Sequence, residues 1–495
     1  MAITGGTSVC PRLRSHASTA RWAILAVVAA HLNLALVECG QRATDVFYLS
    51  WRDEFETSAK QTAAVQSIMS SLGSFSGLIG GVMIKRFGCR MAGIVGGLLA
   101  ATGVFGTTWV RNISQLYLAA AVAGMGLGIS VNTSLVAVGL HFTRRYTTAN
   151  AVAYSGSGTG KIAAPPLMQL FLIGFGWRGA LLIISGVMAN VVALATLYRR
   201  AGTRRKPDPA GTANDPAYGE VHEDLVGDQL EPRNRNSHEF VENDTSGDNP
   251  EIKMKSVRNA DHENRTPGQY SSLSSGRDDV KPKCTYLRKV LSGLGLVVFR
   301  RSYRFGLLCF LSVATAIPYF GSAPFVIPRA QSIGVTPTMA ALLLTVNGVG
   351  GLVGRLGNGL VISWKLSAEI VCFKCAAVAG VSLLLMNVDS YVCLSVSSFL
   401  FGLSTGVLFS IFIVLTRRYG GVKQFSVCCG IYYICLGIGG LLGPVGAGSL
   451  FDSSESYKTV FYVLAGIYFV CGALMFLFPV LRRVEPGIDV PPSNE

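Results

Sequence analysis

Charged residues are scarce in this chain. Asp, Glu, Lys and Arg together make up 14% of its 495 residues, whereas soluble domains typically carry about 25%. Half of the residues are apolar, and the mean hydropathy is +0.43. This composition indicates a polytopic membrane protein rather than a soluble domain.

Signals of enzymatic or metal chemistry are also missing. Cys372 and Cys375 have C-x-x-C spacing, but they lie at the start of an apolar stretch and no second pair completes a zinc site. The run from Gly156 to Lys161 is superficially similar to a phosphate-binding loop, but Ser155 replaces its first glycine and no Ser or Thr follows the lysine. We therefore expect neither an enzyme nor a bound metal or cofactor.

Apolar stretches of membrane-spanning length are abundant instead. A helix needs roughly 20 residues to cross the hydrocarbon core of a bilayer, and twelve such stretches occur in two sets of six. They predict an all-α polytopic membrane protein with two pseudo-symmetric six-helix bundles. We place the spans at 22–42, 62–83, 92–110, 116–139, 149–172, 179–198, 305–325, 339–362, 370–387, 391–415, 427–450 and 459–480.

Basic residues mark one side of the membrane. They cluster before the first span and after the second, fourth, sixth and last spans, which the positive-inside rule places in the cytoplasm. The net charge of +15 therefore reflects topology and does not indicate a nucleic-acid partner. We expect a plasma membrane protein with both termini in the cytoplasm.

The segment between the two sets of spans is polar, and its centre is acidic and nearly free of large apolar residues. Such a sequence predicts disorder. The predicted organisation is an N-terminal tail at 1–21, a first bundle at 22–198, a disordered cytoplasmic linker at 199–304, a second bundle at 305–480 and a C-terminal tail at 481–495.

A polar stripe runs along the first span. His31, Glu38, Arg42 and Asp45 follow steps of seven, four and three residues, which places them on one face of a helix. Such a stripe favours a polar cavity, and Glu38 can pair with Arg42 one turn away. The alternative interpretation is that Arg42 and Asp45 only mark the end of the span.

Further polar groups at membrane depth are Arg355 and Asn347 in the eighth span, Asn132 in the fourth and Lys161 in the fifth. A guanidinium binds a carboxylate through two parallel hydrogen bonds and keeps its charge. Arg355 is therefore the expected anchor of a carboxylate, with structural pairing as the alternative. Asn132 either reaches the same cavity or bonds to a neighbouring helix, and Lys161 has no explanation from the sequence.

The loop between the second and third spans resembles the cytoplasmic signature of the major facilitator superfamily. Its G-x-x-x-x-R-x-G-x-R spacing has Lys85 where an acidic residue usually stands. The resemblance implies the two-bundle fold. The expected cytoplasmic signature and gate residues are Gly81, Arg86, Gly88, Arg90, Arg144 and Arg145.

A closer resemblance, to the monocarboxylate transporter family, extends through both halves and is that of a divergent member. Only Trp22 remains of the family's first-span signature. The matching segments are 141–145 and 155–160, Pro165, the turn at 176–180, Gly354-Arg355, Phe425-Ser426 and Gly443-Pro444.

This resemblance implies roles for individual residues. Arg42 falls where members carry a cation that meets the substrate carboxylate, Met69 matches a substrate-lining methionine and Thr405 matches an aromatic residue of typical lactate carriers. Gly351 stands where proton-coupled members have an aspartate. The predicted substrate-binding residues are Arg42, Arg355, Met69, Asn347, Thr405 and Asn132.

Together these features predict a secondary carrier that moves a small organic carboxylate by alternating access. In the proton-symport hypothesis Glu38 accepts the proton in place of the missing aspartate, with His31 and Asp45 as further candidates, because desolvation favours the neutral form of a carboxyl. The expected partners are the substrate, protons, the lipid bilayer and a single-span ancillary glycoprotein such as some relatives require.

Two other classes stay open. Gly351 and Thr405 are also consistent with proton-independent diffusion of a zwitterion such as creatine, carnitine or an amino acid. A non-transporting receptor or scaffold would act through the linker. Charges inside several spans argue against the scaffold, which has no need to bear their cost.

Overall fold

A computed structural model describes residues 11–142, 146–198, 299, 302–363, 367–421 and 425–485. Nearly all of the predicted linker and the outer parts of both tails lie outside these residues. The regular elements within them are helices, numbered here in chain order: α1 Pro11–Val46, α2 Tyr48–Phe55, α3 Ala59–Thr107, α4 Ile113–His141, α5 Tyr146–Thr196, α6 Tyr303–Ser332, α7 Pro337–Ser363, α8 Ala368–Leu385, α9 Tyr391–Gly420, α10 Phe425–Ser454, α11 Tyr457–Met475 and α12 Leu477–Val484.

Ten of the helices in the described ranges are long and apolar enough to cross a membrane. Two of them, α3 and α5, have 49 and 51 residues, more than twice the length of roughly 20 residues that one crossing needs. Each is interrupted by a glycine with positive φ, Gly88 at 83° and Gly176 at 65°, a conformation that glycine adopts without steric cost.

These glycines divide α3 into α3a (59–87) and α3b (89–107), and α5 into α5a (146–175) and α5b (177–196). The division gives the twelve predicted spans: α1, α3a, α3b, α4, α5a, α5b and then α6 to α11. The all-α two-bundle architecture is thus confirmed. At the two ends of the described chain, α1 begins at Pro11, within the stretch predicted as a tail, and α12 extends across the boundary predicted after residue 480.

Small residues set the helix spacing in the N-terminal bundle. A Cβ atom at Gly124 of α4 would overlap the Met69 carbonyl of α3a, and one at Gly128 would overlap the Gly73 carbonyl. Backbone-to-backbone packing of this kind replaces hydrophobic burial as the source of specificity between helices in lipid. The α3a and α4 backbones are therefore in direct contact.

The C-terminal bundle uses the same device between α7 and α9. Cβ atoms at Gly350 and Gly354 would overlap backbone atoms of α9, and one at Gly402 would overlap the Asn347 carbonyl. Close packing on both sides of α7 fixes the height and rotation of Asn347 and Arg355. Both polar side chains are therefore held by a rigid scaffold.

The two bundles contact each other along two pairs of helices. At the first pair, α5a and α7, a Cβ at Gly348 would lie 2.9 Å from Lys161 Cβ, and Thr345 Oγ1 donates to the Ile162 carbonyl over 3.1 Å. At the second pair, α3a and α10, a Cβ at Gly437 would lie 2.9 Å from Ser74 Cβ. The interface between the bundles is therefore close enough to exclude bulky side chains.

The packing of α4 on α3a yields a stability prediction. Gly128→Ala adds one methyl group where the Gly73 carbonyl lies, so the helices must separate, and we expect a destabilisation of about 1–3 kcal/mol. The measurement is thermal unfolding of the purified protein in detergent. Gly186→Ala is the matched control, because no atom lies within 4 Å of its added Cβ; equal melting temperatures for the two variants would contradict the assigned contact.

Candidate functional site

The polar stripe of α1 forms a buried ion-pair network. Arg42 Nη2 donates to Glu38 Oε1 over 3.1 Å, and Arg42 Nη1 donates to Asp45 Oδ2 over 2.6 Å. Asp45 is 1% exposed, and its Oδ1 atom has no hydrogen-bond partner in the described part of the chain. The stripe is therefore an interior network and not a solvated end of the span.

Lys161, which the sequence left unexplained, joins this network from α5a. Its Nζ lies 3.4 Å from Glu38 Oε1 and donates to the Tyr319 hydroxyl over 2.8 Å. Tyr319 belongs to α6, in the opposite bundle. The ammonium thus links a carboxylate of the N-terminal bundle to a phenol of the C-terminal bundle, which explains how its burial is tolerated.

Arg355 reaches the same carboxylate through a hydroxyl. Its Nη1 donates to Ser157 Oγ over 2.9 Å, and Ser157 Oγ donates to Glu38 Oε2 over 3.3 Å. The guanidinium also lies 5.4 Å from the centre of the Tyr154 ring, within the range of a cation–π contact. Arg355 therefore crosses from α7 to α5a without a direct ion pair to Glu38.

The network has more positive than negative groups. Arg42, Lys161 and Arg355 supply three cations, and Glu38 and Asp45 supply two carboxylates. With all five groups ionised, one positive charge is in excess in a setting where an uncompensated charge is expensive. An anion that entered here would remove this imbalance.

A cavity opens beside Arg42, mostly within the C-terminal bundle. Its wall combines polar groups around the guanidinium with an apolar side built by α7, α8 and α9, as is usual for small-molecule sites. It is lined by Arg42, Gln66, Tyr319, Phe320, Ser322, Ala323, Val326, Leu343, Leu344, Asn347, Leu383, Met386, Ser398 and Phe401.

Of the residues predicted to bind substrate, the structure brings Arg42 and Asn347 to this cavity. Asn347 Nδ2 donates to the Ser398 carbonyl over 3.2 Å, which anchors its amide to α9. Met69 instead lines a separate cavity inside the N-terminal bundle, together with Trp51 and other residues.

The other predicted residues lie at helix contacts. Asn132 Nδ2 donates to the Gly77 carbonyl over 2.6 Å, so the amide joins α4 to α3a. Thr405 Oγ1 donates to the Phe401 carbonyl of its own helix over 2.7 Å. His31 Nδ1 lies 3.0 Å from a backbone carbonyl of α5a, and the recorded partners of its ring belong to that helix rather than to the Glu38 network.

The cytoplasmic signature lies where α3 is interrupted. Gly81 precedes this break, Gly88 forms it, and the side chains of Arg86 and Arg90 are exposed beside it. The Arg86 guanidinium stacks 5.4 Å from the centre of the Phe87 ring. Two further gate residues, Arg144 and Arg145, lie outside the described residues.

Sequence reasoning missed three members of the site. The sequence marks Ser157 only as part of the glycine-rich run from Gly156 to Lys161, and Tyr319 and Gln66 are single polar residues in apolar spans. A signal existed for Ser157, because it lies four residues before Lys161 and hence on the same helix face. No comparable spacing marks Tyr319 or Gln66, whose roles depend on neighbours from distant parts of the chain.

The two bundles are clamped together where α3 begins. The carboxylate of Asp452, near the end of α10, accepts the backbone N–H groups of Ala59 over 2.8 Å and Lys60 over 2.9 Å. The N-terminus of a helix carries partial positive charge, which favours a carboxylate there. The Arg52 guanidinium adds a contact 5.2 Å from the centre of the Phe451 ring. We call these residues the Asp452 clamp.

Comparison with known sequences defines the class of protein. The sequence model of the Major Facilitator Superfamily matches residues 30–243 and 308–493, so the chain belongs to this superfamily of secondary transporters and not to a class of enzymes. Solved structures agree on the fold. The match to the nucleoside transporter NupG covers 92% of this chain and 100% of the NupG chain, with a TM-score of 0.64 and 11% sequence identity. The match to a bacterial homologue of the human lysosomal transporter Spinster covers 95% of this chain and 99% of that chain, with a TM-score of 0.63 and 10% identity.

Relatives of known name narrow the class further. Monocarboxylate transporter 12 of Rattus norvegicus is 25% identical over 95% of this chain and 88% of its own length. Monocarboxylate transporter 3 of Gallus gallus is 25% identical over 92% of this chain and 77% of its own length. Monocarboxylate transporter 4 of Mus musculus is 26% identical over 91% of this chain and 82% of its own length. The resemblance to divergent monocarboxylate transporters that the motifs indicated is thus confirmed by these relatives.

The Asp452 clamp generates a prediction about conformation. Asp452→Asn keeps the size of the side chain but removes the charge that attracts the start of α3, so the two bundles should separate more often at this end. Spin labels at the exposed positions Asp53 and Ser453 should then report a longer or broader distance distribution by pulsed electron paramagnetic resonance.

The matched control for this experiment is Asp389→Asn. Asp389 accepts from Arg329 of α6 over 2.5 Å and from Lys458 of α11 over 3.0 Å, so its contacts remain within one bundle. We expect this control to leave the distance distribution as in the unchanged protein. A clamp variant that behaves like the control would show that the contact does not hold the bundles together.

Proposed function

We propose that this protein carries a small organic carboxylate across the plasma membrane by alternating access. The observation that carries the proposal is the excess positive charge of the Glu38 network beside a cavity that Arg42 lines. The substrate carboxylate would pair with the Arg42 guanidinium, whose planar donors match two carboxylate oxygens. The names of the relatives support a monocarboxylate as the class.

Binding would change the contacts between the bundles. Lys161 reaches Tyr319, and Arg355 reaches Ser157, so both bonds cross from one bundle to the other. A carboxylate that draws either cation towards itself alters these bonds and the balance between two bundle arrangements. This is how occupancy of the site would drive the rocking motion of a two-bundle carrier.

Proton symport is part of the proposal, with Glu38 as the proton acceptor. Its carboxylate accepts from Arg42, Lys161 and Ser157, and an arriving anion competes for the same cations. When the substrate takes these partners, a buried Glu38 without them gains a proton more readily. Asp45 and His31 remain the other candidates for the proton site.

We place both termini in the cytoplasm, which makes the Asp452 clamp an extracellular contact, in accordance with the positive-inside distribution of basic residues. A single-span ancillary glycoprotein would assist delivery to the surface. The linker between the two bundles would serve as a cytoplasmic tether.

A zwitterionic substrate is the second candidate, favoured by one specific observation. Asp45 Oδ2 lies 2.6 Å from Arg42 Nη1, and the buried Oδ1 atom of Asp45 has no hydrogen-bond partner among the described residues. An ammonium group on the substrate would satisfy this oxygen while its carboxylate pairs with Arg42. Competition by unlabelled amino acids, creatine or carnitine distinguishes this candidate from a simple carboxylate.

Uptake of labelled L-lactate into proteoliposomes tests carboxylate transport. We expect Arg355→Ala to lower the initial rate by at least tenfold, because the loss of one buried cation removes the charge excess that attracts the anion. Arg111→Ala, which removes an exposed arginine from the loop before α4, is the matched control and should leave the rate unchanged. Equal rates for both variants would refute the assigned role of Arg355.

The proton-coupling proposal is tested in the same vesicles with and without an inward proton gradient. We expect the gradient to drive accumulation in the unchanged protein, whereas Glu38→Gln should retain exchange at equilibrium but lose the accumulation. The pH dependence of the rate should flatten in this variant for the same reason. An unaltered pH profile in Glu38→Gln would exclude Glu38 as the proton acceptor.

A further inference from the structure

The cavity beside Arg42 contains two polar atoms that the protein leaves without partners. Gln66 of α3a is 7% exposed and Ser398 of α9 is 1% exposed, and both residues line the cavity. Gln66 Oε1 and Ser398 Oγ have no hydrogen-bond partner among the described residues. Leaving such an atom unsatisfied costs about 1–3 kcal/mol, so each one calls for an explanation.

Helix packing does not explain these two atoms. Several serine and threonine hydroxyls in the same spans bond to a carbonyl one turn earlier, as Ser70 does to Gln66 over 2.8 Å. Gln66 Oε1 accepts hydrogen bonds and does not donate them, so it cannot bond to a backbone carbonyl as those hydroxyls do. Its position in the cavity wall leaves the cavity itself as the source of a partner.

Two other polar side chains of the cavity wall, those of Asn347 and Tyr319, already have hydrogen-bond partners within the protein. The Asn347 amide donates to the Ser398 carbonyl, and the Tyr319 hydroxyl accepts from Lys161. Gln66 Oε1 is a hydrogen-bond acceptor, whereas Arg42 is a donor that favours an anion. The site therefore offers complementary groups for a molecule with a carboxylate and a separate hydrogen-bond donor.

We infer that Gln66, with Ser398 in the wall of the same cavity, is a specificity-determining residue that selects carboxylates bearing a hydroxyl or ammonium group on their carbon chain. The inference rests on the proposed carboxylate transport and adds the second recognition element. Arg42 and Gln66 belong to the N-terminal bundle and Ser398 to the C-terminal bundle. A substrate that bonds to all three would link the bundles, whereas an unsubstituted acid would bond only to Arg42.

Discrimination of this kind has a strong physical basis. A site built to bond to a substrate hydroxyl rejects the analogue without it, because its buried polar groups then stay unpaired. A keto acid has the same carboxylate but offers an acceptor where Gln66 Oε1 requires a donor. The expected order of affinity is the hydroxy acid first, followed by the unsubstituted acid and the keto acid.

The experiment compares three unlabelled competitors of labelled lactate uptake: 2-hydroxypropanoate, propanoate and 2-oxopropanoate. In the unchanged protein we expect the hydroxy acid to inhibit at a concentration about tenfold lower than the other two acids, since one hydrogen bond to a buried acceptor is at stake. Gln66→Met keeps the length and volume of the side chain but removes the acceptor. It should bring this tenfold preference close to equality while inhibition by propanoate is retained.

The matched control is Ser67→Ala. Ser67 is the next residue of α3a and is fully buried, and its hydroxyl also has no hydrogen-bond partner in the part of the chain that the structure describes, but it does not line the cavity. This variant should keep the full preference for the hydroxy acid. Retained inhibition by propanoate in Gln66→Met also verifies that the variant is folded.

The outcomes separate the inference from the proposed function. If all three acids inhibit equally in the unchanged protein, or if Gln66→Met keeps the preference, carboxylate transport stands and the role of Gln66 is wrong. If Gln66→Met weakens the three acids by the same factor, the residue only maintains the cavity and the inference also fails. If no carboxylate is transported or inhibits, the proposed function fails and the inference fails with it.

Discussion

Pairing of charges inside the membrane governs the arrangement of this protein. Glu38 is the hub, because its two carboxylate oxygens receive Arg42, Lys161 and Ser157. Each of these groups would be costly in hydrocarbon without the others. Through Lys161 and Ser157 the hub extends to Tyr319 and Arg355, so residues of both bundles depend on one carboxylate. Any state that separates the bundles must supply other partners for these charges.

Glycine makes this network geometrically feasible. Lys161 lies on α5a, and a Cβ atom added at Gly348 of α7 would lie 2.9 Å from the Cβ atom of Lys161. A larger residue at that crossing would push the bundles apart and lengthen the bonds from Lys161 to Tyr319 and from Arg355 to Ser157. Gly351, the position at which the family resemblance implies an aspartate in proton-coupled members, faces α9: its added Cβ would be 3.6 Å from the Gly402 carbonyl. The position contributes packing here, and the acidic groups of the site come from α1 instead.

Two kinds of polar contact join the bundles, one at the start of α3 and one in the central network. At the start of α3 the Asp452 clamp joins the bundles through backbone N–H groups, a contact that depends on charge and on helix polarity rather than on bulky side chains. The central network depends on side-chain ion pairs in a low-dielectric setting. A carrier needs contacts that hold in one state and release in another, and polar contacts of both kinds have discrete partners that can be exchanged.

The sequence by itself determined the twelve spans, the two-bundle fold and the polar face of the first span, because these follow from periodicity and from the length of a bilayer crossing. It also indicated Arg42 and Arg355 as cations at membrane depth. Only the tertiary structure decided that Asn132 bonds to a neighbouring helix and that Thr405 bonds within its own helix. The same holds for the placement of Lys161, Tyr319 and Gln66 at the site. These residues come from helices far apart in the chain, and which of their faces meet is set by the crossing of glycine-rich backbones, a property that local spacing does not encode.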